Sequence, residues 1–174
     1  MQSTIAVITY LAVLGYQPCK ANPAADEWIV KTATDPMRDK KSSTMVLMGD
    51  YLPPRDERPA IGLKCEGGKY KVAGLTTGGL IVRTPTERIP SFLGGGLGLR
   101  VLSRLNDHKP YETSERVSTD FKGFSLLGGN FGKLFVVADT YRVQFATFEN
   151  GSLIAEFHPA LADSTEIKRL CGLK

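Results

Sequence analysis

The chain is poor in the side chains that build metal and redox centres: among 174 residues there are three Cys, two His and one Trp. That supply is too small and too scattered for most metal frameworks. The apolar run near the N-terminus, Ile5 to Tyr16, is twelve residues long. It falls short of the roughly 20 residues that a membrane-spanning helix needs. Only Met1, Gln2, Ser3 and Thr4 precede it, so the run lacks the usual basic residue before it. Charge of one sign is also missing, because 22 Lys and Arg are interleaved with 18 Asp and Glu. The net charge of +4 and pI of about 9.0 describe a mildly basic protein and exclude a strong polyanion binder. No internal repeat or low-complexity segment is present. What is plentiful is turn chemistry, with 18 Gly and 10 Pro, which favours many short strands over a helical bundle. The hydrophobic fraction of 42% and charged fraction of 23% are those of a globular domain and exclude wholesale disorder.

Residues 1–25 read as a signal peptide or N-terminal anchor, and residues 26–174 as a single β-rich domain. Pro18 ends the apolar run, and small residues follow at Ala21, Ala24 and Ala25. Cleavage after Ala21 is the better of two cut sites, since a cut after Ala25 places Pro23 three positions before it. An uncleaved anchor, a lipoprotein on Cys19 and a buried native segment are the alternatives. Tyr16-Gln17-Pro18 makes a poor lipobox, which wants small residues there. The expected location is therefore exported, periplasmic first, with membrane-anchored and virion-associated forms as alternatives.

Removing a leader that contains Cys19 leaves Cys65 and Cys171. An even pair in an exported domain predicts a disulfide, which here staples the tail to the body. The competing reading is two unrelated buried thiols.

Beyond the leader, apolar and polar residues alternate with a period of two. Strands are predicted at Trp28–Thr32, Ser43–Met48, Ala60–Cys65, Lys69–Ala73 and Arg100–Leu105, with Gly78–Arg83 continuing the pattern. Glu115–Ser118 reads as a short strand, and Lys133–Ala138 and Arg142–Phe148 as strong ones. Glu66-Gly67-Gly68 marks one hairpin turn, and Asn150-Gly151 a two-residue turn back to Leu153–Phe157. Tyr51–Pro59 carries three prolines and reads as a charged loop, and Ile89–Leu99 as a Gly-rich bend. Only the end looks helical, with Ser164 as N-cap, a helix through Leu170 and Gly172 as its stop. The fold class is all-β: an antiparallel β-sandwich, or a barrel-like relative, with one short C-terminal helix.

No motif points to catalysis. Gly94-Gly95-Gly96-Leu97-Gly98 has Leu99 where a dinucleotide fingerprint needs its third Gly, and no βαβ unit surrounds it. Gly67-Gly68-Lys69 lacks the spacing of a P-loop. His108 sits in a turn and His158 ends a strand before Pro159, with no nucleophile-elbow serine elsewhere. The carboxylates show no glycosidase spacing. Phe121, Phe124, Phe131 and Phe135, near Lys122 and Lys133, match no RNA-binding motif and read as core and loop packing. The expectation is a protein that is not an enzyme, takes no cofactor or metal and binds no nucleic acid.

The most unusual segment is Thr34 to Ser42, with five charges in the seven residues Asp35 to Lys41. A recognition loop on a rigid sandwich is its functional reading, and a solvated turn its bland one. Candidate binding residues are Asp35, Asp39, Lys40 and Lys41 in this segment, with Arg104 and Asp120 as further charges in or beside strands. A strand arginine paired with an aspartate of this loop serves as a clamp as readily as a site.

Trp28, Asp35-Pro36-Met37, Asp39-Lys40-Lys41-Ser42 and the Cys65 strand together resemble an exported family of bacteria and their phages. Arg104, Ser118-Thr119-Asp120, Leu134-Phe135-Val136-Val137, Ala155-Glu156-Phe157 and Cys171-Gly172 continue the likeness, over about residues 28 to 172. The chain is similar to the type VI secretion-associated accessory family called VasI or TagO and its prophage-borne relatives. The resemblance implies an exported β-rich domain with a Cys-to-Cys bond and no established enzymatic activity. The sequence departs from the pattern at Gly94–Gly98, and at Val117 where an aromatic fits. Those departures favour a phage-borne or free-standing relative. The implied function is a non-catalytic binding or accessory module of the bacterial envelope, with another envelope or phage protein as partner. Two other functions fit the same features: an inhibitor of an envelope enzyme such as a cell-wall hydrolase, and a phage structural or surface component.

Overall fold

Strands with one apolar face must bury it against a second such surface, and two sheets do so here face to face. A computed structural model describes residues 27–35, 37, 39–83, 87–88, 96–126 and 129–173. The leader and its cleavage site lie outside the described residues, as do residues 89–95 of the expected Gly-rich bend. The described strands are β1 (Trp28–Asp35), β2 (Lys40–Met48), β3 (Asp50–Leu52), β4 (Ala60–Glu66), β5 (Lys69–Thr76), β6 (Glu87–Arg88), β7 (Leu97–Leu105), β8 (Tyr111–Arg116), β9 (Gly123–Leu126), β10 (Tyr141–Thr147) and β11 (Gly151–Phe157). Helix α1 (Phe131–Phe135) precedes β10, and helix α2 (Thr165–Cys171) closes the chain.

The first sheet has the order β1-β2-β4-β5-β9. The second runs β3-β11-β10-β7, with β6 beside β10 on one edge of β7 and β8 on the other. Every pairing between these strands is antiparallel and the sheets do not close into a barrel, so the fold is the predicted sandwich. Register explains the core. Trp28, Leu47, Ile61, Leu75 and Phe124 stand opposite one another across the first sheet, and all are buried. In the second sheet Tyr51, Ala155, Val143 and Ser103 form the matching inward row. Because the side-chain period is two, a one-residue slip would turn a whole row outward.

Several elements differ from the sequence expectation. Lys133–Ala138 is not a strand: residues from Phe131 to Phe135 form a helix. Its rich β-branched and aromatic content reads as strand locally, but burial follows helical spacing. Phe131 and Phe135, one turn apart, are buried and stacked at 5.1 Å, while Leu134 and Val137 are exposed. Gly132 permits this docking, since a Cβ there would stand 2.8 Å from the Tyr70 ring. Tyr51 is not in a loop but in β3, buried, with its hydroxyl donating to the Thr77 carbonyl at 2.9 Å. Gly78–Arg83 contributes only a bridge from Val82 to Thr147. The expected strand at Glu115–Ser118 begins earlier, at Tyr111, and ends at Arg116.

The β10–β11 turn spans three residues between Thr147 and Gly151, with Gly151 at φ 66°. Helix α2 starts as expected, but the Ser164 side chain makes no capping bond. Asp163 does that work, its Oδ1 accepting from the Thr165 N–H at 2.9 Å. At the other end Gly172 adopts the left-handed stop with φ 60°. Just before it, the last helical residue Cys171 is joined to Cys65 in a disulfide across 106 residues, with Cα atoms 5.2 Å apart. Disulfides persist in oxidising compartments. No helix among the described residues is long and apolar enough to cross a membrane.

Candidate functional site

The charged segment between the first two strands is a hairpin, not a loose loop. Strand β1 runs to Asp35 and β2 starts at Lys40, so Lys40 and Lys41 are strand residues opposite Asp35 and Thr34. Asp39 occupies the turn with φ 50°, a left-handed conformation that Asp tolerates. Asp39, Lys40 and Lys41 are all exposed.

The hairpin acquires neighbours that local sequence does not reveal. Gly67 N–H donates to the Lys41 carbonyl at 3.0 Å, which seats the β4–β5 turn beside the β2 end of the hairpin. That turn brings Lys64, Glu66, Lys69 and Lys71 to the same end of the sheet. Lys64 Nζ lies 2.9 Å from Glu66 Oε1. The Glu66 carboxyl is held below its ordinary value, first by the hydrogen bond and charge of Lys64 and then by Lys71 and Lys40. One carboxylate thus sits in the field of three ammonium groups drawn from two hairpins. The pair itself is solvent-exposed and contributes little to stability. Its significance is the local excess of positive charge.

Arg104 and Asp120 serve elsewhere. Arg104, in β7 of the second sheet, donates from Nε to the Asn106 carbonyl at 3.1 Å and reaches Asp107 Oδ1 at 3.4 Å. It braces the turn that follows its own strand. Asp120 accepts from Ser118 Oγ at 2.6 Å and from the Lys122 N–H at 3.1 Å, fixing the turn into β9. The structure therefore gathers Asp35, Asp39, Lys40 and Lys41 on one hairpin and gives Arg104 and Asp120 local partners in other turns. Lys64, Lys69 and Lys71 were missed. The Lys-x-Glu-Gly-Gly-Lys-x-Lys spacing around Gly67-Gly68 was the available signal, because a tight hairpin must carry its flanking charges together.

Two further polar groupings lie in the second sheet and its flanks. On the outer face of the second sheet Glu156 engages Arg142 and lies 3.1 Å from His158 Nε2. Inside, Ser103 Oγ and the Tyr141 hydroxyl are 3.0 Å apart, and Thr113 Oγ1 donates to the buried Glu115 at 2.9 Å. Among the described residues no group of three His, Cys, Asp or Glu is placed to hold a metal ion.

Burial pushes the Tyr70 phenol up to about 12 and lifts Tyr141 and Tyr51 well above the ordinary 10.0. The folded state thus favours the protonated phenols, and that stabilisation is complete below pH 10. It is lost as pH rises past the unfolded value toward the folded ones. Urea midpoints should be flat on approach to pH 10 from below and fall steeply above it, with tyrosinate absorbance rising in step with unfolding. Tyr141→Phe and Tyr51→Phe should each flatten that alkaline limb. An unchanged limb in both variants would remove these phenols as its cause.

Comparison with known proteins finds no matching family model, no matching curated relative and no matching solved structure.

Proposed function

We propose that this protein is a non-catalytic binding module of the bacterial envelope, exported to the periplasm and encoded by a bacterium or its phage. It engages an acidic surface on another envelope or phage protein through the lysine-rich end of its first sheet. The observation that supports the reading is the convergence of Lys40, Lys64 and Lys71 on Glu66, from hairpins of a disulfide-stapled sandwich. A rigid sheet presenting like charges at one end steers an oppositely charged partner. The disulfide supports an oxidising compartment, and the spaced motifs similar to the VasI or TagO accessory family support an accessory role.

The test is Lys40→Glu with Lys41→Glu and Lys71→Glu in one protein, assayed for folding and for partner association from periplasmic extract. Charge reversal on an exposed rim should slow association by roughly ten-fold or more, an effect that shrinks as salt rises. Unchanged association by a folded triple variant would overturn the assignment.

A further inference from the structure

The backbone of β1 carries more than its side chains. Lys41 accepts from Gly67 through its carbonyl at 3.0 Å, and Gly49 donates its N–H to Pro59 at 2.9 Å. Odd-numbered residues of β2 therefore turn their N–H and C=O groups toward β4, and even-numbered residues turn theirs toward β1. Those even residues stand opposite Ile29, Lys31, Ala33 and Asp35. By the same alternation Trp28, Val30, Thr32 and Thr34 direct their N–H and C=O groups to the opposite edge of β1. Among the described residues no strand pairs with that edge.

Burial sharpens the point. Trp28 anchors the start of the strand in the core, edge-on to Phe135 at 6.0 Å. From Lys31 to Thr34 four consecutive residues are exposed, on both faces of the sheet. The second half of β1 is thus exposed on both faces, along an edge that no described strand pairs. An edge of this kind is a template for an added strand. The same stretch carries Lys31 on the outer face, beside Thr44 and Lys64 in one cross-strand row. Lys40 stands on that face at the hairpin end.

We propose that the outer edge of β1 takes an extended acidic segment of a partner protein as an additional strand, its acidic side chains over the Lys31–Lys64 row. Main-chain bonds to Val30, Thr32 and Thr34 supply affinity, and the lysines supply the preference for acid. Alternating geometry fits alternating sequence, with apolar residues toward Val30 and acidic ones toward the lysines. This rests on the lysine-rich reading above and adds the mode of binding.

The full chain is titrated with an alternating Glu-Val peptide the length of β1, and with a Lys-Val peptide as the reverse-charge probe. Backbone amide shifts are followed by NMR, and the protein alone is sedimented. The expected result is that the Glu-Val peptide shifts the amides of Val30, Thr32 and Thr34 while the Lys-Val peptide does not. Thr32→Pro deletes one outward donor and leaves the main-chain β1–β2 bonds intact, losing only the Thr32–Ser43 hydroxyl bond between those strands, so it should weaken binding by roughly ten-fold. Thr34→Pro provides the same deletion should the first variant fail to fold. Binding that persists in the folded proline variants, without shifts at these amides, overturns the edge and leaves the lysine reading standing. Absence of binding, or equal binding of both peptides, overturns the acidic strand. Self-association through β1 with no peptide bound assigns the edge to a second copy and overturns the proposal.

Discussion

Replacing Cys65 and Cys171 together by alanine should lower the unfolding free energy by about 4–5 kcal/mol, the chain-entropy value for a loop near 100 residues. Globular domains have only about 5–15 kcal/mol to lose, so the variant should sit near the edge of stability. The bond closes 106 residues, nearly the whole path from β4 to the tail. Its native surroundings are already packed: Cys65, Cys171 and Ile167 are buried, and Gly172 lies against the Gly68 carbonyl where a Cβ would come within 2.6 Å. The disulfide therefore acts chiefly on the unfolded chain, with helix α2 docked by its own apolar face. Urea unfolding with and without reductant measures the effect, and the double variant should match the reduced protein. Non-reducing peptide mapping should recover the two cysteines linked. Identical midpoints in oxidised and reduced protein would show that the loop closure carries no stability.

The bond also bears on the candidate site. The β4–β5 turn that brings Lys71 and Lys40 around Glu66 is the turn on which Gly172 rests. Reduction should loosen that end of the sheet before the rest, because Lys31 to Thr34 of β1 and Asp39 to Lys41 of the hairpin are exposed.

Leu75 and Phe124 lie outside the expected strands and join the inward row only through the β5 and β9 pairing. The start of that row, Trp28, Leu47 and Ile61, was legible because each strand writes its inward face at every second residue. Gly172 was legible for the same local reason: a helix stop needs a residue that accepts positive φ. The failures are nonlocal. Tyr51 sits among prolines and charges and looks like loop, yet β11 pairs with it and the Thr77 carbonyl takes its hydroxyl. Lys64 and Lys71 look like ordinary strand-surface charges until the register sets them around Glu66 beside Lys40. Arg104 and Asp120 stood out as strand charges, and the turns that consume them are visible only in three dimensions. Local alternation specifies faces, whereas a site depends on which strands become neighbours.

Helix α1 gives the sharpest contrast between the two readings. In a strand over Lys133–Ala138, Phe135 and Val137 would share one face, with Leu134 and Val136 on the other. In the helix, Phe135 instead shares its face with Phe131. Its ring meets Trp28 at 6.0 Å, Tyr141 at 5.5 Å and Phe157 at 6.4 Å, all edge-on, besides the stacked Phe131. It thereby joins β1 of one sheet to β10 and β11 of the other. Phe135→Ala removes a fully buried ring and leaves a cavity that four aromatic neighbours cannot collapse into, so it should cost about 3–5 kcal/mol. Phe131→Ala, on the same face, should be costly as well. Leu134→Ala and Val137→Ala should stay within about 0.5 kcal/mol, as exposed positions do. Chemical denaturation of the four variants separates the readings. Heavy losses at Phe135 and Val137 together, with Phe131 tolerant, would restore the strand. The helical face requires the opposite pairing, and the loss at Phe135 should be the largest side-chain effect of the four.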